Sequence, residues 1–200
     1  MQIEFVGGAR TVTGSSFIVK DKDFTIMVDC GMFQGKRELK ARNHLNLIYA
    51  PKKIDALLLT HAHIDHSGLV PKLVKEGFFS NIYATEATAD LCSVMLPDSA
   101  HIQEMDNDWV NRRNRRLGRD VSDALYTVED AENSLKNFVP VSYDKVIQIH
   151  PRIQVRFRDA GHILGSAFIE MWIDEDGKKT KIVFSGDIRS EERRVGKECA

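Results

Sequence analysis

The sequence has few cysteines, almost no net charge and no long apolar run. Its three cysteines, Cys30, Cys92 and Cys199, are odd in number and far apart, which argues against a disulfide framework and predicts a reducing, cytoplasmic setting. The net charge of -1 gives the whole molecule no attraction to nucleic acid, although a local basic face can still exist. No apolar run approaches the roughly 20 residues that span a bilayer, so no membrane partner is expected.

The composition, 42% apolar and 28% charged residues, is that of an ordinary soluble globular protein. The amino terminus begins as a strand and lacks the charged head and apolar core of a secretory signal. Because no internal repeat or low-complexity linker is present, we predict a single domain.

Short apolar segments alternate with helical patterns along the chain, which predicts an α/β fold. Strands are predicted at residues 2–6, 16–20, 24–28, 54–59, 81–84, 146–149, 153–158, 167–173 and 181–185. Helices are predicted at 69–76, from Glu86 to an interruption at Pro97, from there through Trp109, and from a capping box at 127–130 towards Phe138.

The most informative segment is residues 60–68, which directly follow the apolar run 54–59. It contains His61, His63, Asp65 and His66 within six positions. Imidazole suits zinc, and a carboxylate adds charge and a harder oxygen ligand. The alternative is a polar loop with individually hydrogen-bonded histidines. The carboxyl edge of a strand favours a metal site, because α/β proteins place their binding sites there.

The spacing within this segment indicates two metal positions. His61 and His63 are two residues apart and can point the same way from an extended strand end. Asp65 and His66 are adjacent, so their side chains diverge and can serve a neighbouring position. One segment can therefore donate to two metals if other segments complete both sets of ligands.

Two later segments can supply the missing ligands. His162 lies in a glycine-containing loop after a strand, and Asp187 ends the last apolar strand. We predict one site from His61, His63 and His162, and a second from Asp65, His66 and Asp187, with Asp187 as the bridge. Asp29, at the end of the third strand, can orient a ligand histidine through its spare ring N–H, although a turn residue is an equal interpretation.

Two zinc ions roughly 3.5–4 Å apart can hold a water as hydroxide and take up charge on the attacked centre. Hydrolysis of a phosphodiester, a thioester or an amide is then feasible, and the spacing alone does not select among them. Manganese and iron tolerate similar ligands.

The most basic run of the chain, residues 111–116, lies at the end of the predicted second helix. Its default interpretation is a solvated helix face, and the alternative is a patch that contacts phosphate.

These motifs resemble the metallo-β-lactamase superfamily, whose characteristic run matches His61, His63, Asp65 and His66, followed in order by His162 and Asp187. A narrower resemblance is to the β-CASP branch of RNA-processing nucleases, related to the cleavage and polyadenylation endonuclease. It is carried by residues 7–15, 29–31, 98–104, 160–166 and 184–187.

The resemblance implies the N-terminal portion of an αββα sandwich that hydrolyses RNA with two zinc ions, some members acting on DNA. It implies catalytic roles for Asp65 and Asp187. In that branch a second domain follows the segment matching Asp187, and a further ligand histidine and a histidine that assists the leaving group come after it. This sequence stops before them, so we expect the chain to be inactive alone.

Two other interpretations stay open. One is a different hydrolase of this fold, such as a thioesterase of the glyoxalase II type, and the other is a non-catalytic nucleic-acid-binding homologue. Residues 189–200 are charged without periodicity and resemble a translated sequencing-library adapter. We therefore expect the domain to occupy residues 1–188 and residues 189–200 to be a non-native tail.

Overall fold

Two β-sheets stack at the centre of the protein in a computed structural model that describes residues 1–45, 49–175 and 177–188. The first sheet has six strands in sequential order: β1 Gln2–Gly7, β2 Ser16–Lys20, β3 Thr25–Val28, β4 Ala56–Leu58, β5 Asn81–Thr85 and β6 Phe138–Val141. The second has the order β10–β9–β8–β7: β7 Val146–His150, β8 Ile153–Asp159, β9 Ala167–Glu175 and β10 Lys178–Phe184.

The first sheet changes from antiparallel to parallel pairing at β3. Strands β1 to β3 pair antiparallel through short connections, whereas β3 to β6 are parallel and need crossovers. The helices are α1 Arg37–Ala41, α2 Ile64–Ser67, α3 Val70–Lys75, α4 Glu86–Arg116 and α5 Val128–Leu135. Because the carboxyl ends of parallel strands meet at one edge, the segments that follow β3 and β4 lie side by side.

Strand alternation divides the apolar residues between two cores. On β3, Ile26 and Val28 face the second sheet, while Met27 faces the helices. On β4, Leu58 faces the second sheet and Leu57 faces the helices. Both faces of the first sheet are therefore buried, which explains why its central strands are continuously apolar.

The layers run helix, sheet, sheet, and the predicted α/β class is confirmed. Within residues 1–45, 49–175 and 177–188, no helix covers the outer face of the second sheet. Arg156, Glu170 and Lys181 form ion pairs there, so the predicted wet face of residues 153–158 is confirmed. None of the described helices is long and apolar enough to cross a membrane.

The predicted interruption at Pro97 is wrong, because α4 runs through it for 31 residues. The missing N–H costs one backbone hydrogen bond. Buried Cys92, Leu96 and Ala100 anchor the turns on both sides of the proline to the helix-side core and hold the helix together.

The capping box at the start of α5 is confirmed, with Thr127 and Asp130 bonding each other's backbone. The helix ends at Leu135, however, and does not reach Phe138. Residues 138–141 form β6, a strand missed by the sequence analysis, which pairs in parallel with β5. Pairing with the open edge of β5 outweighs the local preference of these residues for a helix.

Candidate metal centre

The histidine cluster lies at the carboxyl edge of the first sheet. After β4 ends at Leu58, the chain bends at Thr60 and continues without regular secondary structure to His63, and α2 begins at Ile64. His61 and His63 therefore belong to the β4–α2 connection, while Asp65 and His66 lie in a single turn of helix. The ring centroids of His61 and His66 lie 4.1 Å apart, so both backbone segments bring an imidazole to the same place.

The carbonyl groups of α2 are tied to the segment that follows β3 and to the end of the connection between β1 and β2. The backbone N–H groups of Ser15, Cys30 and Met32 donate to the carbonyl oxygens of Asp65, His66 and Ile64, at 2.9, 2.7 and 2.9 Å. Gly31 permits this approach, since a Cβ there would lie 1.7 Å from the Asp65 oxygen. The short helix is thus held by backbone contacts with two neighbouring segments.

Thr60 joins both sheets and the last strand at the cluster. Its N–H donates to Asp29 Oδ1 at 2.8 Å, and its carbonyl accepts from the N–H of Ala167 at 2.8 Å. Gly186 packs so closely that an added Cβ would lie 2.8 Å from Thr60 Cβ. Sequence reasoning missed this residue, because a threonine after a strand carries no distinguishing signal.

Asp29 occupies the left-handed region of backbone space, with φ of 57°, and is buried. Aspartate is one of the few residues other than glycine that tolerate this conformation. Its carboxylate accepts from the hydroxyl of Thr60 at 2.9 Å and lies 2.8 Å from His66 Nδ1. Asp29 therefore lies against a ring nitrogen of a cluster histidine, as in the first of the two interpretations that the sequence left open.

These contacts assign the tautomers of two histidines. His66 donates its Nδ1–H to Asp29, and His61 donates its Nδ1–H to the Thr60 hydroxyl at 3.0 Å. Each ring is left with an unprotonated Nε2 that can bind a cation. This is the arrangement in which outer hydrogen bonds fix metal-binding histidines.

His61, His63, His162 and Asp187 converge on one point, with ligand atoms that all lie within 4.8 Å of one another. His63 Nδ1 lies 3.1 Å from His61 Nε2 and 3.2 Å from His162 Nε2. Asp187 Oδ2 lies 3.6 Å from His162 Nε2 and 3.9 Å from His61 Nε2.

These separations between ligand atoms fit a cation with tetrahedral coordination. Zinc–nitrogen bonds of about 2.0–2.1 Å place the corners of a tetrahedron roughly 3.4 Å apart, close to the observed distances. Four potential ligands, three imidazoles and a carboxylate, are also the donor types that divalent metals such as zinc accept. The residues therefore form a group that suits a divalent metal.

The electrostatics of the group keep His61 neutral. Burial and, to a lesser degree, the charges of the neighbouring His66, His63 and His162 rings together lower the pKa of His61 to about 2. At His66 burial also lowers the pKa, but the hydrogen bond and charge of Asp29, with the charges of Asp187 and Asp65, outweigh it and raise the pKa above its usual value.

The loop that carries His162 is docked on the start of α4. Ser166 Oγ accepts from the N–H groups of His162 and Ile163, each at 3.1 Å. The carbonyl of Gly165 accepts from the hydroxyls of Thr85 and Thr88, at 2.6 and 2.8 Å. The two threonines were not identified from the sequence, although Thr85 caps α4.

The second predicted site is only partly assembled. His66 Nε2 lies 3.4 Å from Asp187 Oδ1, so Asp187 faces both positions with different oxygens. The carboxylate of Asp65 makes no hydrogen bond or ion pair with any residue that the structure describes, and acts on His66 only through its charge. The assignment of Asp65 and His66 to a second metal stays a prediction.

A three-layer α/β fold with a histidine and aspartate group at the sheet edge defines the class of this protein. The chain belongs to the metallo-β-lactamase superfamily, whose family profile matches residues 9–108. The match contains the β4–α2 connection and α2, and therefore four of the predicted metal ligands.

Two relatives carry functional names. The chain is 35% identical to Ribonuclease TTHA0252 of Thermus thermophilus, over 98% of this chain and 39% of that protein. It is 30% identical to Transcription termination factor FttA of Methanocaldococcus jannaschii, over 98% of this chain and 28% of that protein. The chain thus spans less than half the length of either relative.

Solved structures agree on the fold. MEM-A1, a subclass B3 metallo-β-lactamase from a soil metagenome library, matches 94% of this chain and 63% of its own with a TM-score of 0.54 and 16% identity. A metallo-β-lactamase from Cronobacter sakazakii matches 94% of this chain and 60% of its own, with a TM-score of 0.56 and 15% identity. At such identities the likeness shows the fold alone.

Proposed function

We propose that the protein carrying this chain is a metal-dependent hydrolase that cleaves RNA phosphodiester bonds, as a member of the β-CASP branch. The observation that carries the proposal is the convergence of His61, His63, His162 and Asp187 on one point. The names of the two relatives, a ribonuclease and a transcription termination factor, favour RNA as the substrate.

In this proposal His61, His63, His162 and Asp187 would hold one zinc ion. Asp65, His66 and Asp187 would contribute to a second, with manganese or iron as alternative metals. Bound ions would supply hydroxide at neutral pH and offset charge on the attacked phosphate.

The chain's own residues have three tasks. Asp29 and Thr60 keep the Nδ1 protons of His66 and His61 away from the site, so that both Nε2 atoms stay available. Asp187 faces both ligand positions with separate oxygens. Asp65, whose carboxylate is unpaired among the described residues, orients the attacking water by accepting a hydrogen bond.

A groove of about 360 Å³ beside the metal centre supports a nucleic-acid substrate. The residues that line it include Thr60, His66 and Asp187 from the candidate metal centre, and the aromatic residues Phe5 and Phe17. The Phe5 ring is 67% exposed and packs edge to face on Phe17 at 5.5 Å. Exposed aromatic rings beside a metal centre can stack on bases while the phosphate is held at the metal.

The test is cleavage of a labelled single-stranded RNA by the purified full-length protein that carries this chain, with zinc and after chelation. Replacing His63 by Ala removes one of three converging imidazoles, so we expect loss of most zinc and most cleavage. His101→Ala is the matched control, because His101 is exposed on α4 and lies outside the group of converging ligands.

Unchanged zinc content and cleavage in His63→Ala would contradict the proposal. A preparation that hydrolyses a glutathione thioester but leaves RNA intact would favour the thioesterase interpretation instead. Zinc-independent RNA binding without hydrolysis of either substrate would favour a non-catalytic homologue.

A further inference from the structure

The last turns of α4 present an exposed tryptophan and three arginines on one side of the helix. Trp109, Arg112, Arg113 and Arg116 follow the i, i+3, i+4, i+7 spacing that places residues on a single face. The Trp109 side chain is 63% exposed, and the three arginines are exposed as well. We call these four residues the Trp–Arg face.

The opposite side of the helix is occupied by the returning chain. Asn107 and Asn111 donate from Nδ2 to the carbonyl of Ser122, at 2.9 and 2.7 Å, and the Ser122 N–H donates back to Asn111 at 3.1 Å. Asn114 donates to the carbonyl of Asp120 at 3.0 Å. The returning segment is fixed on this side and leaves the Trp–Arg face uncovered.

Charge is concentrated at this end of the helix. Residues 109–119 contain five arginines and no acidic residue, in a chain whose net charge is -1. None of these guanidinium groups forms an ion pair with any carboxylate in the part of the chain that the structure describes. Basic side chains do favour a helix carboxyl end, but this effect gives no reason for an exposed indole beside them.

We propose that the Trp–Arg face binds single-stranded RNA at a distance from the metal centre. Guanidinium groups bind phosphate oxygens, and an exposed indole stacks on a base of any identity. An apolar protein partner would not require the three arginines of this face. The choice of RNA rests on the proposed function, whereas the charge and the indole indicate a single-stranded nucleic acid by themselves.

The position of the face on α4 sets a length scale. Thr88, near the start of α4, holds the His162 loop through Gly165. Trp109 lies about 32 Å further along, at 1.5 Å per residue. A strand stacked as in a duplex advances about 3.4 Å per nucleotide. The face would therefore hold RNA on the order of ten nucleotides from the metal centre.

The experiment measures binding of a fluorescein-labelled 20-nucleotide single-stranded RNA by anisotropy, over a salt series and with EDTA present to prevent cleavage. One variant combines Arg112→Gln, Arg113→Gln and Arg116→Gln, which preserves helix propensity. Trp109→Leu keeps an apolar side chain but removes the aromatic face, and Trp109→Phe retains it. The matched control combines Lys145→Gln, Lys178→Gln and Lys179→Gln, three exposed lysines outside the Trp–Arg face.

We expect the triple arginine variant to reduce the slope of log K against log salt by about 2, since each phosphate contact to a single strand contributes about 0.7. Trp109→Leu should weaken binding on the order of tenfold, and Trp109→Phe should bind nearly as the parent does. A duplex of the same sequence should show no effect of Trp109→Leu. The triple lysine control should keep the parent slope.

Circular dichroism first checks that the variants are folded. Three results would then overturn the inference. They are a parent protein that does not bind the RNA, an arginine variant with the same slope as the lysine control, and variants that change the oligomeric state but not RNA affinity. The last result would assign the face to a protein partner. A full-length protein that binds RNA through this face but does not cleave it with zinc and without EDTA would refute the proposed function alone. Cleavage with unchanged binding in the variants would refute this inference alone.

Discussion

At the scale of single residues, the metal centre depends on a buried carboxylate that binds no metal in our assignment. Asp29 is 1% exposed, and burying a charge is costly unless donors compensate it. The compensating donors are the N–H and hydroxyl of Thr60 and the Nδ1–H of His66. The same contacts orient the histidines, so folding and ligand preparation use one network.

Replacing Asp29 by Asn tests this network without disturbing the backbone, because asparagine also tolerates a positive φ. The amide lacks the negative charge that holds the His66 Nδ1 proton. We expect a 10- to 100-fold loss of zinc affinity, as is typical when an outer partner of a ligand is removed. Competition with a chromogenic chelator measures the affinity.

Asp55→Asn is the matched control for this prediction. Asp55 accepts a backbone N–H from Thr25 at 2.7 Å, just before β4 and away from the metal centre. An equal loss of zinc affinity in both variants would show that Asp29 acts through general stability and not through His66.

At the scale of elements, α4 combines a proline in its interior with a first turn that holds part of the candidate metal centre. Its first turn holds the His162 loop, and Cys92, Leu96 and Ala100 pack below it on the helix-side core. Pro97 interrupts the hydrogen-bond ladder in the middle of this arrangement without ending the helix.

Pro97→Ala should therefore stabilise the protein, because an alanine restores one N–H and favours the helix interior. The helix propensities of proline and alanine differ by about 3 kcal/mol. We expect the free energy of unfolding to rise by only about 1–2 kcal/mol, because the packed helix has already adapted to the proline ring. Urea unfolding followed by circular dichroism measures it. A lower midpoint in the variant would mean that the ring contributes packing that outweighs the missing bond.

The capping box of α5 gives a pH dependence. Partial burial would raise the pKa of Asp130, but the N–H of Thr127 and the ammonium of Lys75, 2.9 Å away, outweigh it and lower the pKa. A carboxyl group with a lowered pKa contributes stability above its unfolded pKa of about 3.9, and this is lost as the pH falls through the folded value.

Asp130→Asn should lower the unfolding free energy by about 1 kcal/mol at pH 7 and by less near pH 3. The comparison is urea unfolding of parent and variant at both values. An equal difference at pH 7 and pH 3 would show that the charge of Asp130 contributes nothing to the cap.

At the scale of the whole molecule, the candidate metal centre is where distant segments meet. His63 and His162 are 99 positions apart in the sequence, and Asp187 follows the final strand. The first sheet supplies one part of the group and the second sheet supplies the rest. A bound cation would therefore link the two sheets, and its binding energy would add to the stability of the fold.

At a thousandfold excess over its dissociation constant, zinc should raise the free energy of unfolding by about 4 kcal/mol. The melting temperature should therefore be higher with zinc than in the chelated form. In His63→Ala most of this increment should disappear, while the melting temperature under chelation stays near that of the parent. His101→Ala should keep the full increment. Scanning calorimetry with zinc and with EDTA measures all three proteins.

Much of the fold and of the site was accessible from the sequence, for local reasons. Strand alternation, the capping box at Thr127 and the histidine spacing after β4 each act over a few residues and are visible in the chain. Pro97 and β6 were missed because their outcome depends on packing and pairing partners far away in sequence. Thr60 was missed for the same reason, since all its partners apart from His61 come from other elements.

The sequence by itself determined which ligands this protein offers, because imidazoles and carboxylates at strand ends are properties of the chain. Only the tertiary structure decided that His61, His63, His162 and Asp187 share a single point, and that Asp65 stands apart from it. The physical reason is that parallel strands bring segments to one edge, while the exact approach is set by backbone contacts at Gly31, Thr60 and Gly186.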